Sequence, residues 1–433
     1  MPSEWPLVRL EDVTTILGDG LHGTPSYDDS GDYYFINGNN LSDGRIVFNE
    51  NTRRVTESES LKHRKNLNDR TVLVSINGTL GNVALYRGEK VVLGKSACYF
   101  NVRHDVDRQF VRYVITSAPF QSYIHTLATG STIKNVSLRL MRDFSFHLPP
   151  LKLQKEISAI FVVLDDRINL LHETNATLEA IAQALFKSWF VDFDPVRTKA
   201  EGREPEGVPP EIAALFPSEF ENSALGEIPK GWRVGTLADI ALLNPESWTA
   251  KNHPATVLYI DLANTKDNVV ADVAEYAFDE APSRARRALR DGDTIVGTVR
   301  PGNRSFAYID KPPSNLTAST GFAVLRPSSD QNKPFLYLAA TQDSSIEQLA
   351  HVADGAAYPA VRPEVVAAVP CVVPSDGFMR IFHDVAAPLL SSISENQRQA
   401  QTLATLRDTL LPRLMSGKLR IPEMQKAIEE ASA

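Results

Sequence analysis

Apolar positions recur at alternating spacings of four and three from Ile157 through Phe161, Leu164, Ile168, Leu171, Asn175, Leu178, Ala182 and Leu185 to Trp189. This spacing keeps one stripe of a helix apolar over about five heptads, which is the pattern of a coiled-coil seam. Shifted by 225 residues, the same grid lands on Phe382, Ala386, Leu389, Ile393, Asn396, Ala400, Leu403, Arg407, Leu410 and Leu414. Pro149 and Pro150 bar an earlier start to the first helix, and Asp194-Pro195 predicts its stop. Forty residues of helix are about 60 Å long. A seam of that length needs a partner, and each stretch is the obvious partner of the other. The first exits into a Pro- and Glu-rich linker and a whole module precedes the second, so antiparallel packing, with one module at each end, is expected. Asn175 and Asn396 interrupt the apolar seams and read as register-fixing residues, which exclude slipped pairings.

Outside these helices the period changes to that of short strands broken by turns. Thr71–Ser75 is a β-branched run, Asn77-Gly78 and Gly81-Asn82 are turn signals, and Val83–Tyr86 and Cys98–Val102 resume the strands. A helix is expected at Arg108–Ser117 from the spacing of Phe110, Tyr113 and Val114. The second half repeats the plan with Thr294–Thr298, Pro301-Gly302-Asn303 and Gly321–Leu325. The repetition extends to residues: Trp5, Leu10, Asp12 and Val13 return as Trp232, Leu237, Asp239 and Ile240, and Leu127–Gly130 as Val352–Gly355. The expected fold class is therefore α+β. Two mixed α/β domains are separated by two long helices packed as an antiparallel coiled coil, in a pseudo-two-fold internal repeat. The boundaries are a first domain at 1–150, the central helix at 151–194, a linker at 195–224, a second domain at 225–375, the C-terminal helix at 376–420 and a tail at 421–433.

Composition narrows the function. With 433 residues the chain can hold two or more cores, and its net charge of −8 counts against a free-standing nucleic-acid binder. Residues 1–150 hold 17 Lys and Arg against 16 Asp and Glu, whereas 151–224 hold 7 against 13, so the acid concentrates in the helix and linker. Basic clusters remain at Arg53-Arg54, Lys62–Lys65 and Arg284–Arg290. Cys98 and Cys371 are too few for a disulfide framework and read as buried apolar residues. No apolar run of about 18 residues and no signal-peptide pattern is present, so the expected location is cytoplasmic and no membrane partner is expected.

No catalytic constellation emerges. Gly94-Lys95-Ser96 lacks the first glycine of a phosphate-binding loop, no G-x-G-x-x-G opens a strand–helix unit, and the histidines form no metal-ligand pair. Asp165-Asp166 are adjacent on a helix and cannot act as paired acid and base. What recurs is loop chemistry suited to reading base edges and phosphates: Asn37, Asn39, Asn40, Ser75, Asn77, Thr79, Ser131 and Lys134, then Thr298, Arg300, Asn303 and Arg304. Asn pairs bidentately with adenine and Arg with guanine, while hydroxyls and amides hold phosphates.

The segments Leu148-Pro149-Pro150-Leu151 with Gln154-Lys155, Leu164–Ile168, Thr177–Pro195 and Leu406–Leu419 resemble the DNA specificity subunit of a type I restriction-modification system. The resemblance implies a non-catalytic subunit whose two target recognition domains each read half of a bipartite, gapped double-stranded DNA target. It implies partners: two methyltransferase subunits that N6-methylate adenine, and endonuclease subunits that translocate and cut. S-adenosylmethionine, ATP and Mg would be bound by those partners, with no cofactor and no metal in this chain. The alternatives are a two-domain coiled-coil scaffold without DNA contact and a fused methyltransferase-endonuclease, the latter disfavoured by the missing cofactor motifs.

Overall fold

A computed structural model describes residues 5–415 and 419, apart from 43, 131, 132, 356 and 357. The chain forms two compact units: one joins the residues up to Asn169 with those from Ala400 onward, and the other is Leu170–Gln399. The two long helices, Leu151–Phe190 and Asp376–Met415, each contribute a segment to both units.

In the first unit an antiparallel four-stranded sheet has the order Thr14–Asp19, Ala97–Val102, Thr71–Ser75, Val83–Leu85. Every residue of Thr71–Ser75 and Ala97–Val102 is buried, which is why these strands read as unbroken apolar runs rather than as alternation. Their polar members are satisfied internally: Thr71 Oγ1 donates to Asn101 Oδ1 at 2.6 Å and Asn101 Nδ2 to the Asn66 carbonyl at 2.8 Å. A second sheet orders Arg54–Val55, Tyr33–Ile36 and Val91–Leu93, the last two parallel. The helix Arg108–Thr116 starts where Asp107 accepts from the Phe110 amide, and it buries Phe110, Val111, Tyr113, Val114 and Ile115.

That helix is tied to the long helices through buried polar groups. Gln154 is 1% exposed, donates to the Pro149 carbonyl at 2.7 Å and accepts from the Asp107 amide at 2.8 Å. Asp165 accepts from Arg112, from the Tyr113 hydroxyl and from Arg407 of the second long helix, each at 2.8 Å. Burial, with the nearby Asp165 charge, raises the Tyr113 phenol above its ordinary range, so it stays a donor. Around this cluster Ile157, Phe161, Leu164, Ile168, Leu403, Leu410 and Leu414 are buried.

The second unit has a four-stranded antiparallel sheet in the order Ala241–Leu243, Phe322–Pro327, Thr294–Gly297, Phe306–Tyr308, and a mixed four-stranded sheet in the order Ala274–Ala277, Thr256–Ile260, Leu316–Ser319, Ala285–Ala288, whose central pair is parallel. Its core is aromatic. Phe190 lies 4.8 Å from Phe382 and 5.0 Å from Phe335, and Trp232 lies 5.2 Å from Phe378, between ring centres. Within this unit Trp189 meets Phe378, Phe186 meets Phe382, and Asn175 meets Asn396, so positions fall along one helix as they rise along the other. Asn396 Nδ2 donates to Asn175 Oδ1 at 2.9 Å and Asn175 Nδ2 to the Ile393 carbonyl at 3.1 Å. The two amides thereby satisfy each other inside the stripe. Leu171 and Ile393 are buried here, whereas Leu178, Leu185 and Leu389 are only partly so, and their neighbours Phe186 and Leu390 are fully buried. The helices also pack on Phe335 and Trp232 of the module, which widens the apolar stripe beyond a two-helix seam.

Two assignments differ from the sequence reading. The first long helix ends at Phe190 rather than 194, with Phe193 at φ 56°. Asp194-Pro195 opens a short helix, Asp194–Ala200, because proline fits the first turn of a helix as well as it ends one. The expected linker 195–224 carries that helix, the turn Pro210–Ala213 and the strand Phe220–Ser223, and it buries Val196 and Phe216 in the aromatic core. The C-terminal helix is described to Met415, and the expected tail 421–433 lies outside the described residues.

Replacing Asp165 with alanine removes the carboxylate that Arg112 and Arg407 share, leaving Arg112 without its ion-pair partner and Arg407 with Asp408 alone, their side chains only 12% and 28% exposed. The expected loss is about 3–5 kcal/mol by urea unfolding. Arg407→Ala added to that variant should cost much less than Arg407→Ala alone, and strict additivity would refute the coupling.

Candidate nucleic-acid interface

In the first unit the turn after Thr71–Ser75 is clasped to the segment 129–136. The Gly78 amide donates to the Lys134 carbonyl at 3.0 Å, the Val136 amide to the Ile76 carbonyl at 2.8 Å, and Thr129 and Asn135 exchange amide bonds at 2.9 and 2.8 Å. Asn77 Nδ2 adds a bond to Asn135 Oδ1 at 3.1 Å. Gly130 closes the turn at φ 104°, where a Cβ would stand 2.2 Å from the Ile133 carbonyl oxygen. Beside the clasp opens a cleft of about 300 Å³ lined by Asp19, His22, Ile76, Asn77, Lys95, Asn135, Val136, Ser137 and Leu138. His22 Nε2 lies 2.6 Å from Asp19.

The second unit builds the same clasp. The Arg300 amide donates to the Pro359 carbonyl at 2.7 Å, the Val361 amide to the Thr298 carbonyl at 2.9 Å, and Asp354 and Ala360 exchange bonds at 3.1 and 2.9 Å. Gly355, at φ 116°, closes the turn where a Cβ would lie 2.9 Å from the Tyr358 carbonyl oxygen. The backbone frame is shared while its side chains differ: Asn77, Gly78, Ile133 and Lys134 in one, Val299, Arg300, Tyr358 and Pro359 in the other. Ile133 and Tyr358 are 60% and 72% exposed, so each clasp carries a large solvent-facing side chain at its tip.

The candidate residues separate by exposure. Asn39, Thr79, Lys134, Arg300 and Asn303 face solvent, and Asn37, Asn77 and Arg304 are half-buried. Ser75, Asn40 and Thr298 do not reach a ligand: all three are buried. Ser75 Oγ donates to the Thr79 carbonyl. Asn40 accepts from the Asn37 amide at 3.0 Å and donates to the Val47 carbonyl at 3.0 Å, and Thr298 Oγ1 donates to the Gly321 carbonyl at 2.8 Å. Short polar side chains in turns bond to nearby backbone first, which is the competing use of the same residue types. Arg304 is held by Asp267 and Asp343, so its guanidinium shapes the loop instead. Ser131 lies outside the described residues.

Three cations of the basic runs are also committed to carboxylates. Arg284 pairs with Asp261, Arg290 with Glu246, and Lys62 with Glu59, whose carboxyl is held at about 2 chiefly by the Lys62 hydrogen bond. Sequence reasoning missed Tyr358, Ile133, His22 and Lys95 as surface groups of the clasps and cleft. The signal was available for the first two, since both stand three residues after a turn glycine at the repeat spacing of 225. Both cysteines are buried, which raises their thiols, Cys371 to about 12. Among the described residues no group of three His, Cys, Asp or Glu could hold a metal, and no helix is long and apolar enough to cross a membrane.

Comparison with known proteins places this architecture. Residues 2–180 match the family model of the type I restriction modification DNA specificity domain. The type I restriction enzyme MjaIX specificity subunit of Methanocaldococcus jannaschii is 22% identical over 437 residues, covering 98% of this chain and 95% of that protein. The HindI specificity subunit of Haemophilus influenzae is 25% identical over 365 residues, covering 72% and 77%. In fold, the crystal structure of a type I restriction-modification S subunit from M. genitalium aligns over 95% of this chain and 96% of its own, with a TM-score of 0.54 at 17% identity. In sequence and in fold, the clasped two-unit chain is similar to the specificity subunits of type I restriction-modification systems.

Proposed function

We propose that this chain reads DNA for a type I restriction-modification complex, each of its two modules recognising one half of a bipartite, gapped target. The observation that carries this reading is the clasp built twice from the same backbone hydrogen bonds with different side chains. A reader of two unlike half-sites needs a constant frame that fixes register and exchangeable side chains that meet base edges. The candidate base- and phosphate-contacting residues are Asn39, Asn77, Thr79, Lys134, Arg300 and Asn303, with Lys95 in the cleft of the first unit.

The chain itself performs no chemistry in this reading. Two methyltransferase subunits dock on the long helices, flip an adenine out of each half-site and methylate its N6 with S-adenosylmethionine. Endonuclease subunits join through them and supply ATP-driven translocation and cleavage, with Mg bound there. We infer that the heptad seams pair as one antiparallel coiled coil along their length and so set the gap, half-sites one helical turn apart being about 34 Å from centre to centre. A net charge of −8 supports sharing the phosphate contacts with a more basic partner. The cytoplasm is the compartment in which these partners and DNA meet.

Three measurements test this. Selection from a pool of random duplexes, using the complex with its methyltransferase, should enrich one gapped motif with salt-sensitive affinity; enrichment of nothing would refute recognition. Exchanging residues 5–150 for the corresponding module of a relative should change one half of the motif, and inserting one heptad into both long helices should change the gap. A change in both halves, or an unchanged gap, defeats the corresponding claim. Lys134→Ala should weaken binding evenly across sequences and lower the salt slope by about 1.

A further inference from the structure

Arg300 stands in the left-handed region, at φ 48° and ψ 62°, on the exposed face of the second clasp. Long side chains avoid that conformation, and residues held there concentrate at functional sites. The clasp does not require an arginine: at the matching position of the first unit, Gly78 sits at φ 74° and its amide makes the same bond to the opposite strand. Backbone conformation alone would favour glycine here. The Arg300 guanidinium lies 4.8 Å from the centre of the Tyr358 ring, and that ring is itself 72% exposed. In the first unit the residue at the tip is Ile133, which offers no such platform.

We propose that Arg300 is a specificity-determining residue through which the second unit reads a guanine, with Tyr358 as its positioning residue; this rests on the DNA-recognition reading above. A guanidinium fork matches guanine O6 and N7 bidentately in the major groove, which a lysine ammonium does not. Stacking on Tyr358 restricts the long side chain before DNA arrives, so less freedom is lost on binding. The neighbouring Arg304 cannot substitute, since Asp267 and Asp343 engage it from two sides.

The test uses the complex with its methyltransferase, reading the selected motif base by base beside the melting temperature of the chain. Arg300→Gly suits the backbone, so the melting temperature should stay the same or rise. The motif should meanwhile lose preference for one guanine in one half-site by about 10- to 100-fold, with the other half unchanged. Arg300→Lys should lose most of that preference despite keeping the charge, and Tyr358→Phe should keep more of it than Tyr358→Ala. If Arg300→Gly instead weakens binding evenly across all sequences, the arginine is a phosphate contact and the assignment falls. A motif that Arg300→Gly leaves intact overturns only this assignment. A wild-type complex that selects no motif overturns the recognition reading and the assignment with it.

Discussion

An apolar stripe forty residues long must be covered along its whole length, and this requirement organises the chain. Helix propensity alone would not hold such a segment; tertiary burial of one face does. In the second unit the cover is aromatic, with Phe186, Trp189 and Phe190 enclosed by Phe335, Phe378, Phe382 and Trp232. In the first, leucines and Phe161 close around a polar cluster centred on Asp165. Burial of apolar surface is tolerant of sliding, so it cannot by itself decide which residue faces which. The Asn175–Asn396 amide pair and the Asp165–Arg407 ion pair can, because a slip within either unit would leave a half-buried amide or a buried charge unpaired. Within each unit, apolar burial supplies the attraction and a polar pair supplies the register.

The same division between frame and variable part holds at the loops. Gly130 and Gly355 allow the two turns to close against carbonyl oxygens that any side chain would strike, and amide-to-carbonyl bonds do the rest. None of these interactions depends on the side chains at the tips. Those positions are therefore free to differ, and they do: an isoleucine and a lysine in one unit, a tyrosine beside a stacked arginine in the other. A frame held by backbone lets the tip residues change without endangering the fold, which is what the proposed reading of two unlike half-sites requires.

How far the sequence announced this depends on the kind of signal. Periodicity located the long helices, since one-sided burial leaves a trace every three or four residues, and the start at Leu151 follows from two prolines. The helix Arg108–Thr116 and the buried strands were visible for the same reason. Polar residues carried no comparable trace. Asp165, set aside as a catalytic candidate, anchors three partners from distant parts of the chain, and nothing in its neighbourhood identifies Arg112 or Arg407. Asn40, Ser75 and Thr298 matched the chemistry of base readers because turn-closing and base-reading draw on the same hydroxyls and amides; only burial separates the two uses. The Pro- and Glu-rich stretch after Phe193 read as a linker because composition averages over Val196 and Phe216, the residues that fasten it to the core.

Charge bookkeeping then explains why an acidic chain is suited to specificity rather than to affinity. Many of its arginines neutralise carboxylates within the fold: Arg112 and Arg407 on Asp165, Arg326 on Asp293, Arg290 on Glu246, Arg304 on Asp267 and Asp343. Phosphate attraction is indifferent to sequence, so a recognition chain rich in surface cations would hold every duplex strongly and discriminate among them little. With so many arginines committed to carboxylates and a net charge of −8, exposed cations such as Lys95, Lys134 and Arg300 add little overall attraction for phosphate, and in the proposed reading the sequence-independent share of the affinity falls largely to the partner subunits.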